Sequence, residues 1–308
     1  MKKLTKLILG VLVLATIFVW AQIAQSPSAD VVDKNVHIYF LDVGQGDSEL
    51  IQAGNVQIMI DGGPDDSVLS QIGTVMPVSD RKIETLVLTH PHADHLVGLN
   101  SILDRYEIGQ IYYSGAIYDS NGYEEFLDKA NAKNIPLKVP KIGQTENFFI
   151  DGELTFLWPG EKYKDRKIDN LNNVSEVTRF CYLNRCALFT GDIETDEQAA
   201  MLSICHSEAK TEESQRSFAD AQDDNTCGIF QSEILKLSHH GSSNGTNQEL
   251  LSAVKPKYAV AEVGANNKYG HPHALVLDLL QKSNIQIYRT DREGMIEFVL
   301  SSEGVTKK

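Results

Sequence analysis

The stretch LVLTHPHADHLVGL, Leu86 to Leu99, sets His90, His92, Asp94 and His95 within six residues, directly after a short apolar run. A nearly continuous apolar run bounded by polar residues, as in IETLVLTH, is the pattern of a buried strand. From Ala93 onward DHLVGLNSILDRY reads as a helix, so the four side chains stand on an irregular strand-to-helix connection. His90 and His92 are two positions apart while Asp94 and His95 are adjacent, and the two pairs can therefore aim at different points. Imidazole and carboxylate together suit Zn²⁺ or a related divalent ion. Two such sites need about six protein ligands, with one carboxylate preferably bridging.

Further candidates recur where other strands stop. Asp192 ends ALFTGD; His239 and His240 end ILKLSHHG; His271 and His273 lie in NKYGHPHA, between a strand and a helix. Seven of the nine histidines thus fall in three short loop segments, a distribution that scattered core or surface histidines rarely give. His273 is equally well read as a cap of the helix that follows it. His37, inside a strand, and His206, beside a polar stretch, read as ordinary residues.

The flanking segments describe an α/β chain. NVHIYFLDVGQGDSELIQAGNVQIMIDGG reads as a strand, a glycine-rich turn and two more strands joined at AGN. QIYYSG, LKVP, ENFFI and GELTFLWPG continue the strand pattern, with a helix at YEEFLDKANAK. RFCYLNRCALFTGD reads as a hairpin, followed by helical IETDEQAAMLSIC. A surface excursion of low hydrophobicity runs from about His206 to Thr226. Then come strand EILKLSHHG, helix NQELLSAV, strand KYAVAEV, helix ALVLDLLQKS and strands IQIYRT and GMIEFVL. No fixed-period repeat and no linker divides residues 31–308, which read as one domain.

The first 30 residues belong to a different solvent. Lys2, Lys3 and Lys6 precede an apolar stretch from Leu7 to about Ala24, either a signal peptide cleaved after Ala21 or an uncleaved anchor, followed by a short polar linker. Both readings put the body outside the cytoplasm, secreted or tethered to the outer face of the cytoplasmic membrane. Membrane contact is expected only through this segment. The whole chain carries a formal charge of −14; without the three leading lysines, 25 basic residues face 42 acidic ones, a charge of −17. That balance excludes strong nonspecific binding of duplex DNA, although a local site with metal ions can still take a phosphodiester. Four cysteines suit export; the preferred pairings are Cys181 with Cys186, across YLNR, and Cys205 with Cys227, around the excursion.

THPHADH matches the H-x-H-x-D-H motif, and by it the chain resembles the metallo-β-lactamase superfamily. FLDVGQGDS, IDGG, FTGD, LSHHGS and YGHPH resemble one branch in particular, that of the ComEC/Rec2-type C-terminal hydrolase domains and related stand-alone exported hydrolases, phosphorylcholine esterases among them. The resemblance covers roughly Asn35 to Leu300. It implies a four-layer αββα sandwich and two divalent ions, zinc or alternatively manganese. It also implies a first metal on His90, His92 and His239, a second on Asp94, His95 and His271, and Asp192 bridging. No histidine stands between His95 and Asp192, so the pair after Asp192 is the expected replacement for the superfamily's intervening ligand.

Adjacent residues on an extended segment point oppositely, so only one of His239 and His240 is expected to meet the first metal while the other orients substrate or packs beneath the loop; the choice stays open, with His239 the preferred ligand and His240 then a phosphate contact. Asp94 is expected to orient the attacking hydroxide as well as to bind metal. Asp42, Asp47 and Asp61 are expected to orient ligands from behind or to hold loops, and Lys236 and Ser242 to approach an anionic substrate. The reaction so implied is metal-dependent hydrolysis of a phosphodiester, of short DNA or a small diester. Alternatives are hydrolysis of another exported phosphoester or envelope polymer, and a noncatalytic binding module that retains the hydrolase fold.

Overall fold

Alternation along β4 organises the molecule. In the computed structural model, which describes residues 35–149, 151–208 and 228–308, the first sheet is formed by β1 (Val36–Phe40), β2 (Glu49–Ala53), β3 (Val56–Ile60), β4 (Lys82–Leu88), β5 (Glu107–Tyr113) and β6 (Leu137–Lys138), with β14 (Ile296–Ser301) and β15 (Gly304–Lys307). Its order is β15-β14-β1-β2-β3-β4-β5-β6. The second sheet contains β7 (Thr145–Phe149), β8 (Gly152–Trp158), β9 (Val177–Tyr182), β10 (Arg185–Phe189), β11 (Ile234–Lys236), β12 (Tyr258–Ala261) and β13 (Gln286–Arg289), in the order β13-β12-β11-β10-β9-β8-β7. The helices are α1 (Ser67–Val75), α2 (Ala93–Arg105), α3 (Asn121–Ala132), α4 (Thr195–Glu208), α5 (Gln248–Val254), α6 (Ala274–Lys282) and the single turn α7 (Thr290–Glu293).

Successive side chains of a strand point to opposite faces. Leu86 and Leu88 of β4 accordingly join the apolar layer shared with Leu96, Leu99 and Leu103 of α2 and Phe126 of α3. Val87, between them, joins the layer between the sheets with Phe40, Phe156, Phe180 and Phe189. A third layer packs Leu188 and Leu235 against Leu250 and Leu251 of α5 and Val276 and Leu280 of α6. Three apolar layers between four layers of elements make the αββα sandwich. β4 is buried on both faces, which is why its sequence reads as a continuous apolar run rather than an alternating one.

Every helix and strand expected from the sequence within the described residues is present, some with shifted ends. β11 stops at Lys236, short of the histidines. Helix α1, the single turn α7 and the closing strand β15 were not anticipated: α1 buries only Val68 and Ile72, α7 only Thr290, and β15 is a half-exposed edge. Two helices are capped by side chains read directly from the sequence, Ser120 accepting from Tyr123 N and Asn247 from Leu250 N. Cys181 and Cys186 are directly opposed in the β9–β10 hairpin and form a disulfide. The expected Cys205–Cys227 bridge, most of the excursion and the N-terminal apolar segment lie outside the described residues. Among the described residues no helix is long and apolar enough to cross a membrane.

Strands β3 and β4 run parallel, as do β10, β11 and β12. The carboxyl ends of such strands are where open α/β sheets present their ligand sites. His90, Asp192, His239 and the loop after β12 all follow such ends.

Candidate metal centre

The convergence point is Asp192 Oδ2. It lies 3.9 Å from His90 Nε2, 3.3 Å from His95 Nε2, 3.8 Å from His239 Nε2 and 3.5 Å from His240 Nε2. His90 Nε2 is also 3.0 Å from His92 Nδ1, and His240 Nε2 is 3.5 Å from Asp94 Oδ2. Donors around one tetrahedral zinc, with bonds of about 2.0–2.1 Å, stand about 3.4 Å from one another. The spacings found here therefore fit donors sharing ions rather than pairing among themselves. His240 Nε2, His95 Nε2 and Asp192 Oδ1 are buried without a hydrogen-bond partner among the described residues. Buried polar atoms left that way are costly unless something else satisfies them, and a divalent ion would do so.

The opposite nitrogens are tied down. Thr89 Oγ1 donates to Asp61 Oδ2 at 2.6 Å and lies 3.1 Å from His90 Nδ1; Asp61 Oδ1 accepts from Thr89 N at 2.8 Å. His95 Nδ1 donates to Asp61 Oδ2 at 2.7 Å. One buried carboxylate thus ties down both rings, His95 directly and His90 through Thr89. His240 Nδ1 donates to the Glu262 carbonyl at 2.9 Å, with Asp47 Oδ1 3.1 Å away. Asp192 N donates to Ser175 Oγ at 3.0 Å. Such hydrogen bonds choose the tautomer that leaves the other nitrogen free for metal.

Three expectations change. The SHHG segment is not extended: His239 and His240 have φ of 51° and 55° and Gly241 has φ of 81°, a left-handed turn. Neighbours in such a turn do not alternate, and both rings face the centre, their centroids 6.0 Å apart. His240, assigned above to substrate phosphate, instead closes a donor set with Asp94 and His95. His271, placed in that set by the resemblance, borders it, its ring centroid 6.1 Å from that of His240 and 5.7 Å from that of His239, and its Nδ1 is buried without a hydrogen-bond partner among the described residues. Finally, Lys236 has no exposed surface. It pairs with Asp47, donates to the Gly191 carbonyl at 2.8 Å and stands 3.6 Å from Asp192 Oδ1. Lys236 is therefore a fixed charge beneath the centre and not a substrate contact.

Ser242 donates its hydroxyl to Asn244 Oδ1 and its amide to the His239 carbonyl, closing the turn. Asp42 makes no hydrogen bond or ion pair with the cluster among the described residues. The glycine-rich turn before β2 acts through its backbone: a Cβ on Gly46 would fall on the Asp94 carbonyl, which accepts from Asp47 N. His273 braces rather than ligates, its ring nitrogens meeting Ser243 N at 2.9 Å and the Tyr269 carbonyl at 3.1 Å.

The sequence reading missed Glu49 and Glu262, wholly buried beside Asp47. Their one signal was a charged residue at the edge of an apolar strand, in SELIQA and YAVAEV. Burial first, and then the mutual repulsion with neighbouring carboxylates, pushes both well above the usual range. The rings respond in opposite ways. Burial lowers His90 well below an ordinary imidazole, and His95 and His92 add to that. Burial also opposes charge on His240, but Asp192 and Asp47 outweigh it and push it up to about 10. His95 is raised likewise by Asp192, Asp61 and Asp47. Burial raises and His240 lowers Asp94, which ends well below the usual carboxylate range.

The family model of the metallo-beta-lactamase superfamily matches residues 41–261. The chain belongs to this superfamily. It is 29% identical over 268 residues to the competence protein ComA of Neisseria gonorrhoeae and 24% identical over 276 residues to ComE operon protein 3 of Bacillus subtilis. Those alignments cover 86% and 84% of this chain but 32% of each relative, so the chain spans about a third of the length of the curated relatives it matches. Its homology is to the competence-associated hydrolase domains of the superfamily. Among solved structures, zinc-bound PqqB of Methylobacterium extorquens superimposes with a TM-score of 0.52 at 10% identity, covering 86% of this chain and 99% of PqqB. The metallo-beta-lactamase fold protein YhfI of Bacillus subtilis gives 0.50 at 12% identity, covering 85% and 99%. Both likenesses bear on fold alone. With its superfamily membership and clustered donors, the chain is a metal-dependent hydrolase with candidate sites for two metal ions.

Proposed function

We propose that the protein hydrolyses phosphodiesters outside the cytoplasm, using two divalent ions. His90, His92 and His239 would hold one ion and Asp94, His95 and His240 the other, with Asp192 within reach of both sets. The observation that carries this reading is the meeting of four histidine nitrogens within 3.9 Å of Asp192 Oδ2. When bound, such ions supply Lewis acidity and a water acidified to near neutrality. Asp94, about a third exposed, presents a carboxylate at the mouth to orient that water. The buried Asp47, Asp61 and Lys236 hold the imidazoles and Asp192 still, so little reorganisation is needed as charge develops.

Relatives named for competence and recombination favour a nucleic-acid diester as substrate. The Cys181–Cys186 disulfide supports an oxidising compartment. The decisive experiment is turnover of single-stranded DNA, duplex DNA, RNA, bis-phosphodiesters, phosphocholine polymers and a β-lactam, with zinc and with manganese. Diester cleavage that falls at least a hundredfold in Asp192→Asn is expected, by the scale of losing a group that acts in the transition state. β-lactam turnover without diester cleavage overturns the reading.

A further inference from the structure

Tyr269 is a large apolar ring left in solvent, 54% exposed, beside a buried centre. It lies stacked on His271, centroids 5.6 Å apart and planes at 24°, and His271 in turn stands against His239 and His240. The loop that carries it is braced rather than loose. His273 meets the Tyr269 carbonyl and Ser243 N, Asn267 Nδ2 donates to the His271 carbonyl at 2.8 Å, and His271 N donates to Asn267 Oδ1 at 2.9 Å. Gly264 N donates to Gln45 Oε1, joining the loop to the glycine-rich turn. An exposed aromatic held this firmly is preorganised for contact and loses little entropy on making it.

The neighbouring charge selects what it contacts. Lys268 Nζ sits 5.3 Å from the centre of the Tyr269 ring, in the position a bound cation would take. A trimethylammonium group would meet that ammonium and be repelled. A planar base with a phosphate attached meets the opposite: Lys268, a flexible side chain, swings from the ring to the phosphate and leaves the face it covered to the base. Base–aromatic stacking needs only a π-face and a nearby cation for the backbone. Building on the diesterase reading above, the geometry points to Tyr269 and Lys268 as a nucleotide subsite, in which the base next to the scissile phosphate stacks on Tyr269.

The test compares adenosine 5′-monophosphate with ribose 5-phosphate, which lacks the base, and with phosphocholine. Each is titrated calorimetrically into zinc-loaded full-length protein. The nucleotide is expected to bind about tenfold more tightly than the sugar phosphate, the scale of one stacked base. Tyr269→Ala should abolish that ratio and Tyr269→Phe retain it, while Lys268→Ala should weaken both phosphates alike. Equal binding of the two phosphates, an unchanged ratio in Tyr269→Ala, or tightest binding of phosphocholine overturns the subsite. Diester turnover in the same preparations separates the two readings. Turnover without base preference removes the subsite alone, and base preference without turnover removes the diesterase alone.

Discussion

His95 and His240 each have one nitrogen tied to the protein and the other aimed at Asp192, and the carboxylates around them favour their protonated forms. Metal uptake must therefore displace protons, and zinc affinity should rise with pH across the range in which these rings titrate. The same shift acts on folding. A histidine raised from 6.5 to about 10 stabilises the metal-free fold fully below pH 6.5, and the benefit is lost as pH climbs toward 10. Melting temperatures of chelator-treated protein should fall over that interval, whereas zinc-loaded protein, whose ligand imidazoles are neutral, should lack this decline. Parallel profiles for the two forms would remove the assignment of His240 as a ligand. A second check is elemental: His240→Ala should retain about one ion per chain where the parent holds about two. The H-x-H-x-D-H residues and Asp192 were legible because ligand-capable side chains gather just past the ends of apolar strands. The choice between His239 and His240 was not, because it depends on backbone handedness, which the letters SHH do not carry.

That handedness belongs to an element, the turn from Ser238 to Gly241. Gly241 has φ of 81°, and an added Cβ would approach Pro272 Cβ to 2.6 Å. Gly241→Ala therefore meets strain from the backbone and a collision with the loop bearing His271. The strain alone is worth about 1–2 kcal/mol, and the clash must come on top of it. Urea unfolding should show at least that loss, with metal content reduced as the histidines are displaced; an unchanged midpoint would mean that the turn relaxes freely. Most other elements announced themselves by period and length, the buried β4 and the polar-faced α2 most plainly. Those that did not were α1, α7 and β15, which bury too few side chains to leave a pattern, and the role of Lys236. A lysine in an apolar strand reads as a surface residue until Asp47 and Asp192 are found beside it, and they come from distant parts of the chain.

For the whole molecule, charge and topology matter most. A chain of net −14 offers no broad basic track, so duplex DNA should not be retained in a mobility-shift assay at about 0.15 M salt. A short single strand reaching Tyr269 should be cleaved in the same buffer. Stable duplex retention would instead require a cationic surface that composition does not provide. The sheets were foreseeable as two layers, but their order was not, since β1 pairs with both β2 and β14 and so joins residues more than 250 positions apart, Val36 opposite Leu300. β1 is thus completed by a strand synthesised more than 250 residues after it. Until residues 296–301 are available, β1 has an open edge and the layer between the sheets lacks Phe298. The fold therefore cannot close on its first sheet alone, and a nascent chain remains threadable and open to proteases until residues 296–301 have been made.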